Sequence, residues 1–293
     1  VEGPAPHTPV LPEQVIGLLS VREEGVYVDA TVGFGGHAAS ILSRLGPGGR
    51  IVGIDRDPEA LAWCRERLGN NRVFLAQGRF SQMEDVVKGL GFPAVDGVLL
   101  DLGVSMHQLK RPSRGFSFSS EARLDMRMDP GESLTAWDVV NTYDERALEK
   151  VLADYGEEHR SKRIARAIVL QREKKHIETC IELAELILSV CRRHGRAHPA
   201  TKTFQALRIE VNGELDELRK ALRSGLGLLN RGGKLCVVSY HSLEDRIVKN
   251  FMRDHARSGQ LRLLTKKPVA PQRDEVRWNP SSRSAKLRGA EKI

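Results

Sequence analysis

The chain has 293 residues, 40% of them hydrophobic and 29% charged, with a formal net charge of +8. That balance describes one large globular domain, or one domain carrying an insertion, and excludes a disordered chain. No apolar run approaches the roughly 20 residues of a membrane span, and no signal-peptide pattern precedes the first strand. The four cysteines (Cys64, Cys180, Cys191, Cys236) lack metal-ligand spacing. They are expected to be small buried apolar residues in a reducing, cytoplasmic compartment.

Tyr27 to Ala30 reads as a buried strand. A loop with Gly33, Gly35 and Gly36 follows, then an apolar helix from Ala38 to Leu45. A second strand ends in Asp55, twenty-two residues after Gly33. Strand, glycine loop, helix, strand and acid make a nucleotide-binding βαβ unit. The glycines admit a ligand close to the backbone, because no Cβ is in the way. The acid suits the two hydroxyls of a ribose. The third glycine of the dinucleotide fingerprint is missing, and Asp29 precedes the loop. An acid there repels a pyrophosphate but suits a cationic ligand such as S-adenosylmethionine, which carries an ammonium and a sulfonium. A generic Rossmann turn, with Asp29 as a strand-end cap, stays open at this point.

The alternation continues. Pro58 to Leu68 predicts a helix, with Asp57 as N-cap and proline at the first position. Arg72 to Ala76 is a third strand, Met83 to Leu90 a helix, and Val95 to Leu100 a fourth strand leading into Asp101. This rhythm predicts an α/β fold with a mostly parallel, doubly wound sheet. It stops near Asp101 and resumes near Thr203. Between them, Glu145 to Tyr155, Ser161 to Arg172 and Glu178 to Arg193 read as helices. An inserted helical domain is expected, since a structureless loop of that length is very unusual. The expected boundaries are 1–110 for the first part of the core, 111–202 for the insertion and 203–293 for the rest. Gly103 to Ser120 is expected as a loop at the mouth of the site. Apolar residues from Phe204 to Leu229 recur at steps of three and four, giving one continuous helical stripe. Asn230 to Gly233 turns it into a strand, Lys234 to Tyr240. Leu261 to Leu264 is a weak strand, and Ala285 to Arg288 is expected at a sheet edge.

The charge is uneven. Residues 246–293 hold 13 Lys/Arg and 4 Asp/Glu, so the rest of the chain sums to about −1. Basicity concentrated in one segment, together with Trp278, favours a polyanionic partner such as RNA. A merely solvated face is the plainer alternative.

Ligands of open α/β sheets bind at the carboxyl ends of the strands. Asp29, Asp55 and Asp101 meet there, with Phe80 after strand three. Phe80 has two readings, an adenine-stacking ring or a core residue. His37, His107 and His241 have no evident nucleophile partner, and no P-loop or Ser/His/Asp signature is present.

Several strings are dense in chemistry: Asp101-Leu-Gly-Val-Ser-Met-His-Gln108, Arg114-Gly-Phe-Ser-Phe118, Leu124-Asp-Met-Arg-Met-Asp129, His198 to Arg208, and Ser239-Tyr-His-Ser-Leu-Glu-Asp-Arg246. With them the chain resembles the RsmH (MraW) family of bacterial small-subunit ribosomal RNA methyltransferases. The resemblance runs from His7-Thr-Pro-Val10 to Arg283-Ser-Ala-Lys-Leu-Arg288. It implies a class I S-adenosylmethionine-dependent methyltransferase core with an inserted helical domain. It implies N4-methylation of one cytidine in the decoding region of 16S ribosomal RNA, within the small ribosomal subunit or a late assembly intermediate. Carried over by position, cofactor contacts fall on Gly35, Gly36, His37, Asp55, Phe80, Asp101 and Gln108. No metal is implied. Two departures lie beside Gln108: Met106 replaces a small polar residue and Lys110 reverses a charge. Tyr240 stands where many relatives have Phe.

A cytosine amine is a poor nucleophile, because its lone pair is delocalised into the ring. Positioning and an acceptor for the N4 hydrogen are the protein's levers, and the base must leave its stack. Asp101 is the candidate catalytic acceptor; holding the cofactor's amine end is its other reading. The rivals are a methyltransferase acting on another amine, a non-catalytic RNA-binding assembly factor and a nicotinamide-dependent dehydrogenase.

Overall fold

Apolar runs without polar alternation need cover on both faces, as strands of a parallel sheet have. The computed structural model describes residues 9–105, 108–109, 111–191 and 198–293, and it places the runs in this way. β1 (Val26–Asp29), β2 (Arg50–Asp55), β3 (Val73–Gln77), β4 (Val95–Asp101) and β5 (Leu229–Ser239) pair in parallel in the order β3-β2-β1-β4-β5. β6 (Leu261–Leu263) and β7 (Lys286–Lys292) complete the sheet. β7 pairs antiparallel with β5, and β6 with β7 at the edge. The mostly parallel, doubly wound fold expected from the sequence is therefore present.

Successive strand residues point to opposite faces. Val28, Val98, Leu100 and Val237 enter one buried core, closed by helices Met83–Gly89, Glu214–Leu228 and Ser242–Arg257. Tyr27, Ile51, Leu99 and Cys236 enter the other, closed by Pro12–Leu19, Gly36–Leu42 and Pro58–Leu68. Helix Pro58–Leu68 has the bounds read from the sequence, and Asp57 Oδ1 accepts the Glu59 N–H at 3.1 Å. The four cysteines are buried and free. Among the described residues no helix is long and apolar enough to cross a membrane.

Contacts divide the chain into two compact units, 1–103 with 215–293, and 104–214. The second is wider than the expected 111–202, and the reason is local. Gly213 has φ +60° and breaks the apolar stripe into Thr201–Asn212 and Glu214–Leu228. Both pieces keep an apolar face, so periodicity alone does not reveal the break. The first piece packs with helices Ala136–Thr142, Glu145–Gly156, Ser161–Arg172 and Cys180–Val190 around Leu124, Leu148, Ile168 and Leu183. Asn212 closes this unit: its Oδ1 accepts the Met128 N–H and its Nδ2 donates to the Met126 carbonyl, each at 2.8 Å. Arg193, the expected end of the Glu178 helix, lies outside the described residues, as do His7, Met106, His107 and Lys110.

The C-terminal expectation needs correction. β7 is an interior strand, because β6 covers its outer side. Arg288 is buried and donates from Nε to Asp245 Oδ1 at 2.7 Å, while Lys286 Nζ lies 3.5 Å from Asp245 Oδ2. These two cations are therefore engaged inside the fold. Burial pushes the Asp245 carboxyl up, but Arg288 and Lys286 outweigh it and hold the pKa below the ordinary range.

Arg288→Met would leave the Asp245 carboxylate without its main partner. We expect a loss of about 2 kcal/mol, less than for a fully buried pair because water still reaches Asp245. A depressed carboxyl stabilises above its unfolded pKa of ~3.9, and that stabilisation is lost as pH falls through the lower folded value. The gap in melting temperature between wild type and Arg288→Met should therefore be full at about pH 7 and shrink below about pH 4. A gap independent of pH would assign the loss to packing.

Candidate active site

Three neighbouring parallel strands end in an acid at one sheet edge: β1 in Asp29, β2 in Asp55 and β4 in Asp101. The glycine loop leaves β1 between them. Gly33 and Gly35 have φ +50° and +79°, conformations that side chains rarely adopt. A Cβ on Gly35 would meet Leu68 Cδ1 at 2.6 Å and Cys64 Sγ at 3.1 Å. Asp55 holds this loop: its Oδ2 accepts the Gly33 N–H at 2.8 Å and its Oδ1 accepts the Asp57 N–H at 2.9 Å. Burial raises the Asp55 pKa despite these two bonds. Each carboxylate oxygen keeps a lone pair for a further donor.

Asp101 is fixed by its neighbours. Its N–H donates to Thr31 Oγ1 at 2.6 Å, and Tyr240 Oη donates to its Oδ1 at 2.8 Å. His37 Nε2 lies 3.4 Å from its Oδ2 without hydrogen-bond alignment. Burial pulls the His37 pKa down, but Asp101 and Asp29 outweigh it and leave it raised. Burial and contact with Asp101 drive the Tyr240 pKa well above its ordinary value.

Asp29 is 1% exposed. Its Oδ1 accepts the Thr31 N–H at 3.3 Å, and its Oδ2 has no partner among the described residues. Burial pushes its pKa up to about 7; Asp101 and Asp55 push the same way, while His37 and the Thr31 N–H oppose them. The site thus offers an orphaned buried carboxyl oxygen, a loop glycine, Gly33, whose Cβ position meets nothing nearer than the Thr31 carbonyl at 3.8 Å, and a second carboxylate with spare acceptor capacity. These features fit a ligand with a cationic end and a pair of hydroxyls.

Asp29, Gly33, Gly35, Gly36, His37, Asp55 and Asp101 are therefore gathered in one place. Phe80 opens a one-turn 3-10 helix after β3, half-buried, with the Arg56 guanidinium 5.6 Å from its ring centre. It packs against the sheet core. Gln108 belongs to the helical unit, where its Oε1 accepts the Ser105 N–H at 3.0 Å. Sequence reasoning missed Thr31 as the anchor of Asp101. It noted Tyr240 only as a departure from Phe, since no spacing links residues 139 positions apart.

The chain matches the MraW methylase family over residues 4–293. It belongs to that family. Two curated relatives, both called "Ribosomal RNA small subunit methyltransferase H", span nearly all of it. The protein of Persephonella marina is 49% identical over 292 residues, covering 98% of this chain and 99% of its own. That of Caldicellulosiruptor saccharolyticus is 46% identical over 304 residues, with the same coverage. As a MraW methylase the chain is an S-adenosylmethionine-dependent methyltransferase, which removes the dehydrogenase reading. The orphaned Asp29 oxygen, the open glycine loop and Asp55 suit the sulfonium, ammonium and ribose of that cofactor.

The raised Asp29 pKa has a stability consequence. Between the unfolded pKa of ~3.9 and about 7 the folded methylase keeps a proton that the unfolded chain has lost, so stability falls as pH rises through this window. Asp29→Asn removes that dependence. The variant should gain on wild type by about 2–4 kcal/mol as pH rises from about 4 to above about 7. Parallel curves in denaturant titrations across that window would show that Asp29 does not titrate there.

Proposed function

We propose that this MraW methylase transfers a methyl group from S-adenosylmethionine to N4 of a cytidine in the decoding region of 16S ribosomal RNA. The substrate is the RNA of the small ribosomal subunit or of a late assembly intermediate, and the compartment is the cytoplasm. The observation that carries this reading is the end-to-end match to relatives named for small-subunit ribosomal RNA methylation, at 46–49% identity over 98% of the chain.

The cofactor supplies an electrophilic methyl on a sulfonium. The chain's own residues do the rest. Gly35 and Gly36 would carry the loop backbone along its edge, Asp55 would accept hydrogen bonds from its ribose hydroxyls, and Asp29 and His37 would line the polar floor. Phe80 is assigned to its remaining edge. Asp101 accepts a hydrogen bond from the cytosine amine and turns the nitrogen lone pair toward the methyl; the proton that the methylated nitrogen sheds leaves along that hydrogen bond. That bond strengthens as the nitrogen gains positive charge, so it stabilises the transition state more than the ground state. Tyr240 donates to Asp101 Oδ1, so the amine would meet Oδ2, the oxygen that His37 Nε2 approaches to 3.4 Å. The helical unit 104–214 supplies substrate recognition by positioning rather than bulk affinity, since the positive charge of Arg114, Arg123, Arg127, Arg160, Lys162, Arg163 and Arg166 is offset in part by Asp125, Asp129, Glu157 and Glu158.

The test is methyl transfer to small subunits that lack the native modification, followed by nucleoside mass spectrometry. N4-methylcytidine is the expected product. A methyl group on another base or amine would overturn the assignment, and no transfer at all would favour an assembly factor.

Two variants probe the roles. Asp55→Ala should weaken cofactor binding by about 1.5–3 kcal/mol, the range of a hydrogen bond to a charged group; unchanged calorimetric affinity in a folded variant would remove Asp55 from the site. Asp101→Asn should lower kcat roughly 100-fold while cofactor affinity barely moves. A matching loss of cofactor affinity would make Asp101 a cofactor ligand only.

A further inference from the structure

Helix Arg273–Trp278 ends in the most exposed large apolar side chain of the described residues, Trp278, at 57% exposure. The segment that carries it is firmly held. Glu275, one turn earlier, is buried and accepts the Leu11 N–H at 2.7 Å. Asn279 is buried, its N–H donates to the Glu275 carbonyl at 2.7 Å, and its own carbonyl accepts Ser282 Oγ at 2.7 Å. The indole is thus displayed by an anchored turn.

Near it in the chain the exposed cations are Arg273, Arg277 and Arg283. Only Arg277 has an acidic partner among the described residues, the equally exposed Asp274 at 3.3 Å. The place is close to the chemistry. Leu11, which Glu275 holds, follows two residues after Pro9, and Pro9 abuts Gly36 of the glycine loop. The Glu275 carboxylate also acts on the ionisation of His37 and Tyr240.

We propose that Trp278 is a stacking platform for a base of the single-stranded RNA beside the target nucleotide, with Arg273, Arg277 and Arg283 gripping the phosphates on either side. The proposal rests on the RNA substrate read above. Exposed aromatics interleaved with cations match the two faces of single-stranded nucleic acid, a flat base and a charged backbone. The flanking charge is complementary, with 13 basic against 4 acidic residues in 246–293. With Lys286 and Arg288 engaged by Asp245, the exposed arginines beside Trp278 carry the grip.

The test uses the full chain and a fluorescein-labelled oligouridylate. Trp278→Ala should weaken anisotropy-measured binding about ten-fold, which corresponds to ~1.4 kcal/mol. Trp278→Phe should restore most of it. Arg277→Gln with Arg283→Gln should flatten the log–log salt slope by about 1.4, at ~0.7 per single-strand phosphate contact. Calorimetric affinity for S-adenosylhomocysteine should stay unchanged in all variants, which also shows that they fold. Unchanged oligouridylate affinity in Trp278→Ala would overturn the platform. So would a loss confined to whole small subunits, which would make the patch a protein-docking surface. If wild type fails to methylate ribosomal RNA while Trp278→Ala still weakens oligouridylate binding, the methylation reading fails and the platform stands.

Discussion

The hydrogen bond from the Gly33 N–H to Asp55 Oδ2 ties the glycine loop to the end of β2, and the geometry of the site depends on it. A loop with two left-handed glycines has little conformational preference of its own. Asp55 supplies that preference, and a second bond to the Asp57 N–H fixes Asp55 at the start of helix Pro58–Leu68. Cys64 on that helix reaches back to the Gly33 carbonyl at 3.2 Å. The ligand-facing backbone is thereby shaped before any ligand arrives, which is how a site reduces the ordering cost of binding.

The same sheet edge also concentrates unfavourable charge. Asp29, Asp55 and Asp101 lie at the ends of adjacent strands, and burial raises the pKa of the first two. A fold selected only for stability would not place three acids there. Asp29 also has one oxygen buried with no partner among the described residues.

Much of this was legible in the sequence, for a physical reason. Short apolar runs are unmistakable, so all five parallel strands were found, although β5 begins at Leu229, inside the stretch expected to end a helix and turn; the Asp57-Pro58 pair marked a helix start to the residue. The misses are contacts across long separations or breaks that preserve periodicity. Gly213 interrupts a stripe without disturbing its spacing. β7 looked like an edge because nothing local announces that β6 covers it. Helix Arg273–Trp278 has no local signal, because its anchor, Glu275, reaches Leu11 at the other end of the chain. At the site, the acids and glycines were read from local motifs, while Thr31 and Tyr240 reach Asp101 only through the fold.

The broken alternation also bears on how the chain assembles. β4 and β5 pair side by side, Leu100 beside Val237, although more than one hundred residues separate them in the chain. Closing a flexible loop of that size costs entropy that grows with its length, and it slows the search for the partner strand. The intervening residues 104–214 have a buried core of their own. If that core condenses first, the two strands are joined by a compact bead whose ends are already constrained, and the effective loop becomes short. An insertion placed inside a sheet can in this way act as a folding aid for the strands it separates.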